Sequence, residues 1–143
     1  MDLFRALDIS ASALAAQRAR MEVITENLAN ADTSVTATGR PYRRKVVRLQ
    51  AVGADAFPAV SGGSAPPRGG VRVGEVSEMR DPPRRLYQPG HPQAGADGFV
   101  ELPNLSPLVE MADMLASTRA YEANVTAFQA TKSMATKLLE LLR

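Results

Sequence analysis

The chain has no cysteine and no tryptophan, and His91 is its one histidine. Disulfides, thiolate nucleophiles and cysteine-based zinc sites are thereby excluded, and a serine–histidine–aspartate triad has a single imidazole to draw on, set between Pro89-Gly90 and Pro92. No Gly-Lys-Ser/Thr phosphate loop or dinucleotide fingerprint occurs. Nowhere is there a run of about 18 apolar residues, and Met1-Asp2-Leu3-Phe4-Arg5 is not a basic n-region leading into an apolar stretch, so neither a membrane span nor a cleaved signal is expected. Aromatic residues make up 5% of the chain, which leaves Ala, Leu, Val and Met as the apolar material; these suit helix seams better than a deep pocket. An enzyme is not expected, and neither is a cofactor, a metal or a small-molecule substrate.

Glycine and proline are missing from both ends. All ten glycines and all ten prolines lie between Gly39 and Pro107, so each end is free of helix breakers while the middle carries Gly-Gly, Pro-Pro and Pro-Gly punctuation. Three segments follow: residues 1–38 as an N-terminal helix and turn, 39–103 as a Gly/Pro-rich β insert, and 104–143 as a C-terminal helix. The fold class is α+β, with two long terminal helices in a coiled-coil-like layer and a small irregular β insert between them. The net charge of +2 is unevenly spread: 3 basic and 5 acidic groups in residues 1–38, 10 and 6 in 39–103, and 4 and 4 in 104–143. Near-neutral helical ends permit many copies to approach one another.

In the first segment Leu7, Leu14, Met21 and Leu28 recur every seven residues, with Leu3, Ile24 and Ala31 on the adjoining heptad position and Ser10 and Gln17 as its polar exceptions. The helix is expected to fade at Asn30-Ala31-Asp32-Thr33, where short polar side chains compete for the backbone. In the last segment Met111, Met114, Thr118, Tyr121, Val125, Phe128, Lys132, Ala135, Leu139 and Leu142 follow three-four spacing, and Ser106-Pro107 supplies a start signal. Helices of about 45 and 55 Å are expected. They can pair as an antiparallel hairpin within one monomer, or complete their burial against neighbouring subunits.

The middle opens with Tyr42 to Leu49, a strand-like run with five basic residues among Arg40 to Arg48; Val71 to Val76 alternates as a second strand, and Phe99-Val100 marks a third. A flexible loop is expected over Ser61–Pro67, and a small hairpin or three-stranded sheet overall. The basic run has only Tyr42 for stacking and no helix to enter a groove, so nucleic acid is not an expected partner.

Asn27-Leu28-Ala29-Asn30-Ala31-Asp32-Thr33, closing the first helix, resembles the signature of bacterial flagellar rod and hook axial proteins. Glu110-Met111, Arg119-Ala120-Tyr121-Glu122-Ala123-Asn124 and Lys132-Ser133-Met134 resemble the terminal helix of the same family. Pro41-Tyr42-Arg43-Arg44-Lys45, Tyr87 through Pro92, Gly98-Phe99-Val100 and Pro103-Asn104 are similar to its short proximal-rod members, with Phe99 in place of a usual tyrosine and Gln88 in place of a common acid.

The resemblance implies a structural subunit, exported by the flagellar type III apparatus without a cleaved signal. It would assemble in the periplasm with itself and other rod proteins into a helical tube around an export channel. Subunit packing then falls to Leu7, Leu14, Met21, Ile24, Leu28, Met111, Met114, Tyr121, Val125, Phe128 and Leu139. Register-setting polar contacts fall to Asn27, Asn30, Thr33, Arg119 and Asn124, and contacts of the insert to Tyr42, Arg43, Arg44, Lys45, Tyr87 and His91. A helical-hairpin binding or adaptor module using the basic strand is the alternative from another class.

Overall fold

The computed structural model describes residues 3–52 and 69–141. Helix α1 spans Leu3–Ala29 and α2 spans Pro107–Leu141; four strands lie between them, β1 (Lys45–Ala51), β2 (Val71–Glu78), β3 (Arg84–Tyr87) and β4 (Phe99–Leu102). At 1.5 Å per residue the helices are about 40 and 52 Å long. The two-helix, β-insert architecture is the expected α+β class.

Where α1 stops follows from its last residues. Asn30 turns its side-chain Nδ2 back to the Glu26 carbonyl at 2.9 Å, and its Oδ1 accepts the Thr33 hydroxyl at 3.2 Å, so the terminal carbonyls are occupied locally and the helix does not continue. A turn follows in which the Arg40 carbonyl accepts both the Thr36 amide at 2.8 Å and the Thr36 hydroxyl at 2.9 Å. Gly39 sits at φ 73°, a conformation that side-chain-bearing residues avoid. At the other end, the Ser106 carbonyl accepts the amides of Val109 and Glu110, starting α2 directly behind Pro107.

The helices pair with each other. Met21 meets Thr118 and Asn27 meets Glu110, so advancing along α1 means retreating along α2 and the pair is antiparallel. In α2 the residues turned away from water form a stripe broader than a two-rail seam: Glu110, Met114, Ser117, Tyr121, Asn124, Phe128, Thr131 and Ala135 run along it in 3-4 steps, with Asp113, Thr118, Ala120 and Val125 beside them. Met114, Thr118, Tyr121, Val125, Phe128 and Ala135 of the expected seam lie in this stripe, whereas Met111 and Leu139 lie on the wet side of α2, 50% and 69% exposed. The stripe is wider than expected because its additional rail is polar or small, and apolar periodicity does not count such residues.

The insert is two separate antiparallel ribbons, β1 with β2 and β3 with β4, and not the single hairpin or three-stranded sheet expected. The missed strand is β3, whose Arg-Arg-Leu-Tyr follows two prolines and is exposed throughout, so neither periodicity nor burial marks it. Also, β1 begins at Lys45 and not at Tyr42. The first ribbon lies on α1, where the Ser12 hydroxyl accepts the Val71 amide at 3.0 Å. The second turns on Gly98, whose φ of 74° and 2.8 Å clearance from Tyr87 Cε2 exclude a Cβ; Tyr87 and Phe99 stack edge-to-face beside it at 5.2 Å. The loop expected at Ser61–Pro67 lies outside the described residues, as does Leu142.

Candidate assembly interface

Buried polar groups help to join α1, α2 and the insert. Asn27 is 1% exposed. Its Nδ2 donates to the Lys45 carbonyl at 2.9 Å and to Glu110 Oε2 at 3.0 Å, while its Oδ1 accepts the Lys45 amide and the Tyr42 hydroxyl, both at 2.9 Å. Both donors and both acceptor positions of the amide are therefore used. By bonding the N–H and C=O of one residue, the side chain does what a neighbouring strand would do for the start of β1.

Glu110, also 1% exposed, is the charged partner. Its Oε1 accepts Arg44 Nε at 2.6 Å, and Arg44 Nη2 reaches Asp113 at 3.3 Å. Both acids lie in the first two turns of α2, where the helix dipole favours negative charge. Lys45 Nζ closes the other flank on Glu26 at 2.5 Å. Burial, reinforced by Glu26, Glu78 and Glu110, pushes the Tyr42 hydroxyl up to about 12, which keeps it a donor. A buried carboxylate is tolerable here because each oxygen has a partner.

The expected polar positions divide. Asn27 enters this cluster, with Tyr42, Arg44 and Lys45 from the insert. Asn30 and Thr33 bond each other just past the helix end, and Asn124 donates to the Ala120 carbonyl of its own helix at 2.9 Å. Arg119, Arg43 and Tyr87 are exposed, and His91 is half-buried, its Nδ1 accepting the Gln93 amide at 3.2 Å. Among the apolar positions Ile24 is buried, and Leu7, Leu14, Met21, Leu28, Met114, Tyr121, Val125 and Phe128 are half-buried. Glu110, Asp113 and Glu26 were not singled out from sequence. The available signal was the basic run, which needed nearby acids once its strand was placed against α1.

The far end of the hairpin is different. Extending the pairing of Met21 with Thr118 and Asn27 with Glu110 puts Leu3 opposite about residue 135, so the last turns of α2 run past the start of α1. There Leu138, Leu139 and Leu141 are 54%, 69% and 83% exposed. Leu108, Met111 and Leu115 add an exposed apolar patch near the opposite end of α2. Isolated exposed leucines are ordinary, but two such groups on one helix mark contact surfaces.

Comparison with known proteins places the chain in a family. Residues 7–34 match the family described as flagella basal body rod protein, and residues 96–141 match the flagellar basal body rod FlgEFG protein C-terminal family. The flagellar basal-body rod protein FlgC of Bacillus subtilis (strain 168) is 46% identical, the alignment covering 99% of each chain. The FlgC of Salmonella typhimurium is 42% identical over 99% of this chain and 98% of its own. The chain belongs to the FlgC family. That of Aquifex aeolicus (strain VF5) is 41% identical over 98% of this chain and 97% of its own.

As a FlgC-family member the chain is a structural subunit of the flagellar basal-body rod and not an enzyme. The matched segments are α1 with its terminal turn and the stretch from β4 through α2, the two parts joined by the Asn27–Glu110 contact. Among the described residues no helix is long and apolar enough to cross a membrane.

Proposed function

We propose that this chain builds the periplasmic proximal rod as a helical polymer, its terminal helices forming the inner wall of an export channel and its β insert contacting neighbouring rod proteins. The observation that carries this is the apolar overhang Leu138, Leu139 and Leu141, together with the Leu108–Met111–Leu115 patch at the other end of the same helix. Two different patches on one subunit make a heterologous interface, which repeats without closing and generates helices. Burying such leucines stabilises contact by about 2 kcal/mol each, far more than rim charges contribute.

In this reading the packing set extends from Leu7, Leu14, Met21, Ile24 and Leu28 on α1 to Met111, Met114, Tyr121, Val125, Phe128 and Leu139 on α2. Nine of the eleven are buried or half-buried in the hairpin, and the exposed Met111 and Leu139 meet neighbours. Arg119 stands exposed on α2 where a neighbour's helix would pass, and Asn27, Asn30, Thr33 and Asn124 hold the hairpin's own register. Tyr87 and His91 belong to the insert's outward contacts. The subunit travels through the flagellar type III apparatus and reaches the rod without binding nucleic acid or a small-molecule substrate.

The test is deletion of the gene in the source bacterium, complemented by wild type or Leu139→Lys. Lysine is a good helix former and suits a helix C-terminus, so the substitution spares the monomer. Loss of rod, hook and filament, restored by wild type but not by Leu139→Lys, is the expected outcome. Flagella in the deletion strain would refute the rod reading, and full rescue by Leu139→Lys would refute assembly through this surface.

A further inference from the structure

Arg44, Lys45 and Arg85 are committed to acids, but the side chains of several other cations of the insert are not. Among the described residues Arg40, Arg43, Arg48, Arg80 and Arg84 are exposed and have no hydrogen-bond or ion-pair partner. Arg40 and Arg43 differ from the other three in position. They flank Pro41-Tyr42 and line two adjoining cavities, one of 360 Å³ shared with Met79, Pro83, Asp81 and Glu101, the other of 640 Å³ shared with Thr36, Glu26 and Glu78.

The backbone that carries these two guanidinium groups is held firmly. The Thr36 amide and hydroxyl both bond the Arg40 carbonyl, the Gly39 amide bonds Thr36, the Tyr42 amide bonds the Thr33 carbonyl at 3.1 Å, and Tyr42 is anchored on Asn27. With the main chain already placed, a partner has to order only the two side chains and not the turn that carries them. Guanidinium groups match carboxylates through paired N–H bonds.

Resting on the rod reading above, we infer that Arg40 and Arg43 form a docking site for carboxylate side chains of a neighbouring rod subunit. Charge distribution supports that kind of partner. The insert carries 10 basic and 6 acidic groups, a balance of +4, while residues 1–38 carry 3 and 5, a balance of −2. Helical layers of this composition and basic inserts attract one another. Asp81, Glu101, Glu26 and Glu78 line the same cavities, so the surface is of mixed sign and suits a partner whose carboxylates are spaced to meet the two guanidinium groups alone; a continuous polyanion such as nucleic acid or an anionic bilayer would meet the acids as well.

The experiment replaces the chromosomal gene with Arg40→Glu/Arg43→Glu and, separately, with Arg40→Lys/Arg43→Lys. Soft-agar swimming and basal-body electron microscopy report assembly, while circular dichroism and the melting temperature of the purified chain report folding. The reversal is expected to abolish swimming with folding unchanged, and the lysine pair to retain it in large part. Motile revertants of the reversal strain are then sequenced; a carboxylate replaced by Lys or Arg in a rod-protein gene is expected and identifies the partner.

Wild-type swimming by the reversal strain overturns the docking site while leaving the rod role standing, since deletion of the gene tests that role independently. Binding of the purified chain to phosphatidylglycerol vesicles or to heparin at physiological salt, lost in the reversal, overturns it in favour of a polyanionic partner. A lowered melting temperature in both variants overturns it in favour of an internal structural role.

Discussion

The two ends of the helical hairpin are built on opposite principles. At the base, where α1 ends and α2 begins, Asn27, Tyr42, Arg44 and Glu110 form a satisfied polar cluster that admits one alignment of three chain segments. At the tip, Leu138, Leu139 and Leu141 are 54%, 69% and 83% exposed. Polar bonds are directional and punish misalignment, whereas apolar contact is not and accepts any partner of suitable shape. The base therefore fixes the subunit's own register, and under the assembly proposed above the tip is the part left for neighbours to cover.

The strongest way to break the contrast is at the base. Asn27→Asp replaces the Nδ2 donor that serves Lys45 and Glu110 with an oxygen, setting two carboxylates face to face in a buried site. A loss of about 3 kcal/mol is expected in urea unfolding at neutral pH, more than half the reserve of a marginal domain. Asn27→Ala removes the same bonds without adding a charge and serves as its control.

Tyr42→Phe is milder. It deletes one bond to Asn27 Oδ1, which still accepts the Lys45 amide, and a loss of about 1 kcal/mol is expected. It also changes the alkaline limb of the stability curve. Because the folded-state value is raised from 10.0 to about 12, the neutral phenol is the form the fold prefers. Its contribution is complete below pH 10 and disappears as the pH climbs towards 12. Denaturant midpoints measured across that range should fall in the wild type and fall less in Tyr42→Phe.

At the tip the same measurement should register almost nothing. Leu139→Lys, at an exposed position on the last turns of α2, is expected to move monomer stability by no more than about 0.5 kcal/mol while abolishing assembly. Comparable destabilisation by Leu139→Lys and Tyr42→Phe would erase the distinction between the ends.

What could be read from sequence follows the same line. Both helices were legible because their ends lack glycine and proline and their apolar residues keep a heptad beat. The N-terminal signature ending at Thr33 located the turn, and Phe99-Val100 located β4. The full width of the shielded stripe on α2 was not legible, because one side of it is Glu110, Ser117, Asn124 and Thr131, which no apolar pattern counts. Asn27 was marked as a register contact, but its partners lie 18 and 83 residues away and only the fold brings them together. The strand β3 was hidden by Pro82-Pro83 and by having no buried face.

The most direct test is residue-resolved hydrogen exchange on the purified, unassembled chain. Protection is expected to be greatest around Ile24–Asn27 and Glu110–Ser117 and to decline along α2 towards Leu138 and Leu141, reflecting a pinned base and an unsupported tip. Uniform protection along the whole of α2, or greater protection at the tip than at the base, would contradict it.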